Sequence, residues 1–374
     1  MKIVVLGGAG DMGSRAVEDL STSPGVDEVT IADQNVPRAR ALADRLADAP
    51  ARIHVTAVDA NVKDSLVAVM RGHDVAASAL GPFYRYETKL VSAALEADVD
   101  YASICDEPEP TQKVFDKFWS EAREQGRTVL VGLGTSPGTT NLAFAHLAAG
   151  MESVRRADIY CYQPLNGGGG RALLHHALHI INGKTLSWRR GRKSRIAALS
   201  EEATIAFPRF GTLRVWNMGH AEPLTIPRYH PEIRDVNFMM GFGLGSPLLV
   251  HPARWGAFAT PSRIDAAVSV IAWIEHWLQR KPAHGAIRVE VEGTVGGQPV
   301  RKMLCGTGEL RDVTGNALSI GAQMVARREI TTTTGGVFAP EGCMRTDRAL
   351  AEFARRGIQF FEDLEMTQPL LPPA

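Results

Sequence analysis

Short unbroken apolar runs alternate with longer stretches of helical periodicity through the first 132 residues of the chain. KIVVL (2–6), EVTIA (28–32), IHVTAV (53–58), DVAASAL (74–80), DYASI (100–104) and RTVLVG (127–132) have strand length and few polar interruptions. Between them, the stretches after Met12, from Pro37, up to Met70, around Glu87 to Ala97 and from Glu109 to Gln125 read as helices, with Pro37 suited to a first turn. A strand that is apolar throughout is covered on both faces. Alternation of such strands with helices predicts an α/β fold with a doubly wound parallel sheet.

The pattern changes after Gly132. GLGTSPGTTN (132–141) reads as a hinge or ligand-lining loop before a helix, and the regular alternation is lost between about 150 and 325. GTLRVWNM (211–218) and IRVEVEGTV (287–295) alternate as half-buried strands do. The second is expected to pair with PVRKML (299–304) across Gly296-Gly297. NGGGG (166–170) reads as a flexible loop, WIEHW (273–277) as a packing helix, and further helices are expected near 316–328 and 346–356. The expected organisation is a nucleotide-binding domain over 1–133, a mixed α+β substrate and dimerisation domain over 134–328, and a segment over 329–374 packing back on the first domain.

Charge narrows the range of partners. The chain carries 41 basic and 41 acidic residues, so it offers no field for nucleic acid or an anionic membrane. The basic run Arg189, Arg190, Arg192, Lys193, Arg195 is the local exception and reads as a solvated loop. The four cysteines are widely spaced and form no C-x-x-C, which fits a reducing compartment and neither a zinc site nor a disulfide framework. AAVSVIAWIEHWL (266–278) is interrupted by Glu275 and His276, and the N-terminus lacks a signal-peptide pattern. A soluble cytoplasmic protein is the expectation.

The first candidate chemistry lies in GGAGDMG. Gly8, Gly10 and Gly13 spell G-x-G-x-x-G between a predicted strand and a predicted helix, the context that gives this dinucleotide (Rossmann) fingerprint meaning. Gly7, Gly10 and Gly13 also spell the G-x-x-G-x-x-G of short-chain reductases. That reading demands a Tyr with Lys four residues on, and none of the six tyrosines has one. Gly7 is therefore expected to be the flexible end of the first strand. Asp33 closes the second strand 20 residues after Gly13, where a carboxylate accepts from a ribose 2′-hydroxyl and repels a 2′-phosphate. NAD is expected over NADP, with Arg38 and Arg40 weakening the exclusion.

VVLGGAGDMG, TIADQN, SALGPFYRYE, DEPEP, GLGTSPGTTN, GHAEPLTIPRY and GVFAPEG, in that order, resemble the saccharopine dehydrogenase-like family over residues 1 to about 360. The resemblance implies a Rossmann domain, a second α/β domain carrying the substrate site, a homodimer, and hydride exchange between nicotinamide and the carbon of an amine or imine. It places Gly8, Gly10, Asp11, Met12 and Gly13 in the pyrophosphate loop and Asp33 at the ribose. Asp59 and Ala60 flank the adenine in this carry-over, and Ala79, Leu80 and Gly81 lie beneath the nicotinamide ribose. WRRGRKSR (188–195) departs from the lysine and polyamine enzymes in its basicity, since a cationic substrate gains nothing from it.

Amine oxidation needs a proton acceptor that works near neutrality. Asp106, after the fifth strand, is a candidate; its alternative is helix capping before EPEP. His220 in GHAEP has Glu222 two residues on, with Arg228 and Tyr229 as candidate substrate-carboxylate ligands. Tyr84 is a third candidate, set against plain packing under the cofactor. His175, His176 and His179 share part of a helix face but lack an acidic partner nearby in sequence, so no metal is expected. The leading expectation is an NAD-dependent oxidoreductase acting on a C–N bond of a small amino acid, amine or opine-like secondary amine through an imine. The alternatives are tightly bound NAD serving a net non-redox reaction, and a non-catalytic NAD-sensing protein.

Overall fold

The computed structural model describes residues 1–164, 170–243, 246–277 and 284–372. In chain order the elements are β1 (Lys2–Leu6), α1 (Asp11–Thr22), β2 (Glu28–Asp33), α2 (Val36–Arg45), β3 (Arg52–Ala57), α3 (Lys63–Met70), β4 (Val75–Ser78), α4 (Phe83–Glu96), β5 (Asp100–Ser103), α5 (Pro108–Glu124) and β6 (Thr128–Val131). They continue with α6 (Thr139–Ala149), β7 (Ser153–Tyr162), α7 (Gly170–Ile180), β8 (Lys184–Arg189), β9 (Arg192–Ala197), β10 (Glu202–Phe207), β11 (Gly211–Asn217), α8 (Glu222–Tyr229), β12 (Asp235–Gly241), α9 (Ser246–Arg254) and α10 (Pro261–Trp277). The last are β13 (His284–Val295), β14 (Gln298–Glu309), α11 (Leu310–Ala326), β15 (Gly336–Phe338), α12 (Pro340–Cys343) and α13 (Thr346–Arg355).

Two compact units result, Met1–Thr139 with Arg311–Ala349, and Thr140–Leu310 with Leu350–Ala374. The first is built on a parallel seven-stranded sheet in the order β15-β6-β5-β4-β1-β2-β3. Its central strands are apolar where they are sealed from water: Ile3, Val4, Val5 and Leu6 are fully buried, as are Val75, Ala76 and Ala77. Each buried Val, Leu or Ile contributes about 1.5–3 kcal/mol. Strand order reverses between β1 and β4, which leaves a crevice at the carboxyl ends, the usual ligand position in such sheets.

The division differs from the expected boundaries of 134–328 and 329–374 in two places. Residues of α11 belong to the first unit because they pack on α1. Ser319 donates to Asp19 at 2.6 Å, Gln323 donates to Ser23 at 3.1 Å, and Arg311 reaches Glu18 at 2.8 Å. At Gly315 a Cβ would stand 2.5 Å from the Arg15 Cβ, so the approach needs glycine. The tail beyond 350 belongs to the second unit, where Phe361 and Cys305 exchange two backbone hydrogen bonds of 2.8 Å. The part that does join the first sheet is β15, which pairs with β6.

The second unit carries a mixed eight-stranded sheet, with β10-β11-β12-β7-β13-β14 in line and β8 and β9 branching from β12. The expected β13–β14 hairpin turns at Gly296 and Gly297, both with positive φ. The basic run is not a loop. It forms the β8–β9 hairpin, with Arg189 opposite Arg192 and a two-residue turn of Arg190 and Gly191, both at positive φ. Neighbouring like charges are tolerated there because Arg189 pairs with Glu201 through both nitrogens and Trp188 anchors the strand to the Ile233 carbonyl at 2.9 Å. Of NGGGG, residues 166–169 lie outside the described residues. WIEHW falls within α10, but its side chains also lie outside them. Among the described residues no helix is long and apolar enough to cross a membrane.

Candidate functional site

In the first unit the site is built on the turn from β1 into α1. Gly7 is not a flexible strand end: at φ +71 its N–H donates to the Ala32 carbonyl at 2.9 Å, and its own carbonyl accepts from Gly10 at 3.0 Å. A Cβ on Gly8 would lie 2.8 Å from the Val5 carbonyl oxygen, and one on Gly13 would lie 2.2 Å from that of Gly7. The loop is thus closed on itself, and α1 begins at Gly10 with no side chain capping its N-terminus. An uncapped helix N-terminus behind a glycine turn fits a pyrophosphate, which takes the place of the missing cap.

Asp33 stands at the carboxyl end of β2, where its Oδ2 accepts from the Ala9 N–H at 3.0 Å and its Oδ1 from Asn35 at 2.8 Å. It therefore shapes the glycine loop from the carboxyl end of the sheet. Arg38 is drawn to Asp11 at 2.8 Å. Asp59 closes the turn after β3 by accepting from the Asn61 N–H at 2.8 Å, with Ala60 beside it. Ala79, Leu80 and Gly81 follow β4, half-buried at the same sheet edge.

Asp106 is half-buried after β5, and the N-cap of α5 is Glu107. Glu107 is fully buried, and its Oε2 accepts from the Tyr84 backbone N–H at 2.8 Å. The Tyr84 ring lies beneath the Arg85 guanidinium at 5.6 Å. Beside them is a residue that sequence reasoning missed. Glu87, fully buried on α4, accepts from the hydroxyls of Ser103 at 2.5 Å and Tyr101 at 3.1 Å. A signal was present, since Glu87 falls on the apolar stripe formed by Phe83, Leu90, Val91 and Ala94.

Burial pushes the Glu87 carboxyl up to about 7 against the pull of those hydrogen bonds, with the charges of Glu107 and Asp106 adding to the rise. In the unfolded chain the group titrates near 4.5. The native state therefore holds the proton more tightly, and stability falls as pH rises through the window from 4.5 to about 7. Glu87→Gln removes this penalty. Urea unfolding at about pH 4 and about pH 8 should show the variant gaining up to about 3 kcal/mol on the wild type across that range. A constant difference between the two proteins would count against the assignment.

In the second unit, β11 leads into Gly219-His220 and then α8. His220 is 2% exposed and Glu222 is fully buried, with His220 Nδ1 and Glu222 Oε2 2.6 Å apart. Thr140 donates to the other oxygen of Glu222 at 3.2 Å, and the imidazole stacks on Phe238 with ring centroids 3.8 Å apart. An ionised Glu222 only accepts, so it holds the imidazole proton on Nδ1. The ring of His176 lies 6.5 Å from that of His220. His175 turns instead to Asp265 of α10 at 3.6 Å, an acidic neighbour that sequence distance concealed. Arg228 and Tyr229 sit at the far end of α8 from Glu222, Arg228 exposed and Tyr229 half-buried. The fold brings His220 and Glu222 together and leaves this pair apart from them.

Residues 3–130 match the family model described as the saccharopine dehydrogenase NADP-binding domain. Carboxynorspermidine synthase of Vibrio alginolyticus is 24% identical over 242 residues, 58% of this chain and 56% of that protein. A Mycobacterium tuberculosis protein provisionally named a trans-acting enoyl reductase is 26% identical over 132 residues, 35% of this chain and 32% of its own length. The chain thus spans about half the length of the first curated relative and a third of the second. Saccharopine dehydrogenase (L-Glu forming) of Saccharomyces cerevisiae has the same fold, with a TM-score of 0.69 over 96% of this chain and 98% of that one at 14% identity. The first unit thus carries a nucleotide-binding domain similar to that of the saccharopine dehydrogenases, and the chain as a whole shares the fold of saccharopine dehydrogenase.

Proposed function

We propose that the protein transfers hydride between NAD and the carbon of a C–N bond in a small amino acid, amine or opine-like secondary amine. The observation that carries this reading is the buried His220–Glu222 pair, a histidine whose tautomer is held by a carboxylate. Amine and imine differ by a hydride and a proton. Bound at the glycine loop, a nicotinamide dinucleotide would supply or take the hydride. His220 Nε2 takes the proton from the substrate nitrogen in oxidation and returns it in reduction, while Glu222 stabilises the imidazolium. Asp106 serves the water that adds to the imine carbon, and Tyr84 supports the nicotinamide. Arg228 and Tyr229, at the other end of α8, would bind only a substrate carboxylate remote from the reacting nitrogen. The relative named carboxynorspermidine synthase supports C–N chemistry over reduction of a C=C bond. Its match, at 242 residues, outruns the nucleotide-binding domain, whereas the 132 residues shared with the enoyl reductase do not.

The preference for NAD rests on the Asp33 carboxylate and on Arg38 being held by Asp11. A panel of amines and amino acids with NAD, and of oxo-acid and amine pairs with NADH, is expected to show turnover by the absorbance of reduced nicotinamide. Asp33→Asn should lower the NAD-to-NADP affinity ratio by about tenfold, close to 1.4 kcal/mol. Silence across the panel by a protein that binds dinucleotide would remove the catalytic reading. Tighter binding of NADPH than NADH by the wild type would reverse the cofactor assignment.

A further inference from the structure

Ser78 and Ser103 occupy paired register positions at the carboxyl ends of the adjacent strands β4 and β5, and both are fully buried. Each hydroxyl oxygen accepts a backbone N–H two residues on, Leu80 at 3.3 Å and Cys105 at 3.4 Å. The two turns that leave the sheet here are therefore each pinned to a serine. Glu87 stands on α4, the helix into which the turn after β4 leads, and reaches β5 at two points: Tyr101 donates to its Oε2 and Ser103 to its Oε1. The contacts run from α4 through the carboxyl of Glu87 and the Ser103 hydroxyl to the Cys105 N–H. A second tie runs parallel to these, from the Tyr84 N–H to Glu107.

We propose that Glu87 is a positioning residue for the dinucleotide site: through Tyr101 and Ser103 it locks the turn after β4 (Ala79–Gly81) to the turn after β5 (Cys105–Glu107), so that the two move as one body. This rests on the reading that Ala79–Gly81 lies beneath the nicotinamide ribose. A carboxyl is suited to the task because its two oxygens take two hydroxyl partners at once. Sealed from water, the link is strong only while every member is satisfied. The groups acting on Glu87 are Ser103 and Tyr101 from β5 and the acidic Glu107 and Asp106 from the turn into α5; Cys105 lies in the same field. Ionisation tightens the two hydroxyl bonds to the carboxylate while setting a negative charge beside Glu107 and Asp106, so the geometry of the lock changes with the charge of Glu87. The nicotinamide end of the site is thereby coupled to pH while the adenosine end is not.

The test needs no substrate, so it is independent of the turnover panel. Binding of NADH (and of NADPH) to the purified full chain is titrated from about pH 5.5 to about pH 8.5. The readout is the emission of the bound reduced nicotinamide, and ADP-ribose, which lacks that ring, is the control. The wild type is expected to show a step in bound-nicotinamide emission near neutrality, with ADP-ribose affinity flat. Glu87→Gln, which keeps two polar atoms without the charge, should bind both ligands and lose the step. Glu87→Ala should weaken NADH by about tenfold or more relative to ADP-ribose. The infrared band of a buried protonated carboxylic acid in the ligand-free wild type, absent from Glu87→Gln, assigns the step to this residue. An unchanged step in Glu87→Gln would overturn the proposal, as would NADH bound by Glu87→Ala with wild-type affinity and emission. If Glu87→Ala fails to fold, the comparison of Glu87→Gln with wild type decides alone. Failure of either reduced dinucleotide to bind would instead remove the cofactor reading beneath it.

Discussion

Replacing His220 by glutamine should lower kcat by about 100- to 10,000-fold, the contribution of a positioned general acid–base group. Glutamine nearly matches the ring in reach and retains a hydrogen-bonding atom for Glu222, so the fold should survive while proton transfer at Nε2 is lost. Dinucleotide affinity should be unchanged, because the glycine loop and Asp33 belong to a different unit of the chain from His220. Glu222→Gln should cause a smaller loss of kcat, since it leaves the imidazole in place but no longer stabilises its protonated form. The measurement is steady-state kinetics on whichever amine the panel identifies, with thermal unfolding as the control for folding. Wild-type kcat in His220→Gln would sink the acid–base assignment and move attention to Asp106.

Gly13→Ala should weaken dinucleotide binding by about 100-fold, close to 2.7 kcal/mol, as read by fluorescence titration. The added methyl carbon would stand 2.2 Å from the Gly7 carbonyl oxygen, 2.9 Å from its carbon and 3.0 Å from the Gly8 Cα. These are backbone atoms, so no side chain can rotate away. The loop must open or the first turn of α1 must shift, and either change moves the N–H groups from the pyrophosphate. Overpacking of this kind typically costs about 1–3 kcal/mol of stability as well, which urea unfolding would report. Affinity equal to the wild type would show that the turn is slacker than its contacts imply.

The two variants bear on features of unequal legibility. The glycine turn was readable from sequence because its constraint is local. KIVVL is apolar at every position, glycines follow at once, and a helical pattern begins within a few residues. Asp33 was readable for the same reason, as an acid closing a short apolar run. His220 and Glu222 stood two residues apart, so their contact was within reach of sequence, although their burial was not. Glu87 escaped notice because YETKL reads as an ordinary helical segment. Its partners, 14 and 16 residues further along the chain, both come from β5.

The membership of the two compact units was hidden for a related reason. The helicity of α11 was visible in its composition, but its allegiance depends on Ser319 meeting Asp19 across 300 positions of sequence. The charge of the basic run suggests a solvated loop. What decided its shape was the Arg190–Gly191 turn and the pairing of β8 with β12, neither of which charge reports.

Sequence alone determined the features that arise between near neighbours: unbroken apolar strands of a doubly wound sheet, the glycine turn, the acid at the end of β2, and the resemblance those motifs carry. Their physics is that of backbone sterics and of faces that repeat every two or 3.6 residues. Tertiary structure decided which buried polar groups meet. Burying a carboxyl is costly unless a partner is supplied, and the partners of Glu87, Glu107 and Glu222 include residues from other elements, brought to them by sheet register and helix packing.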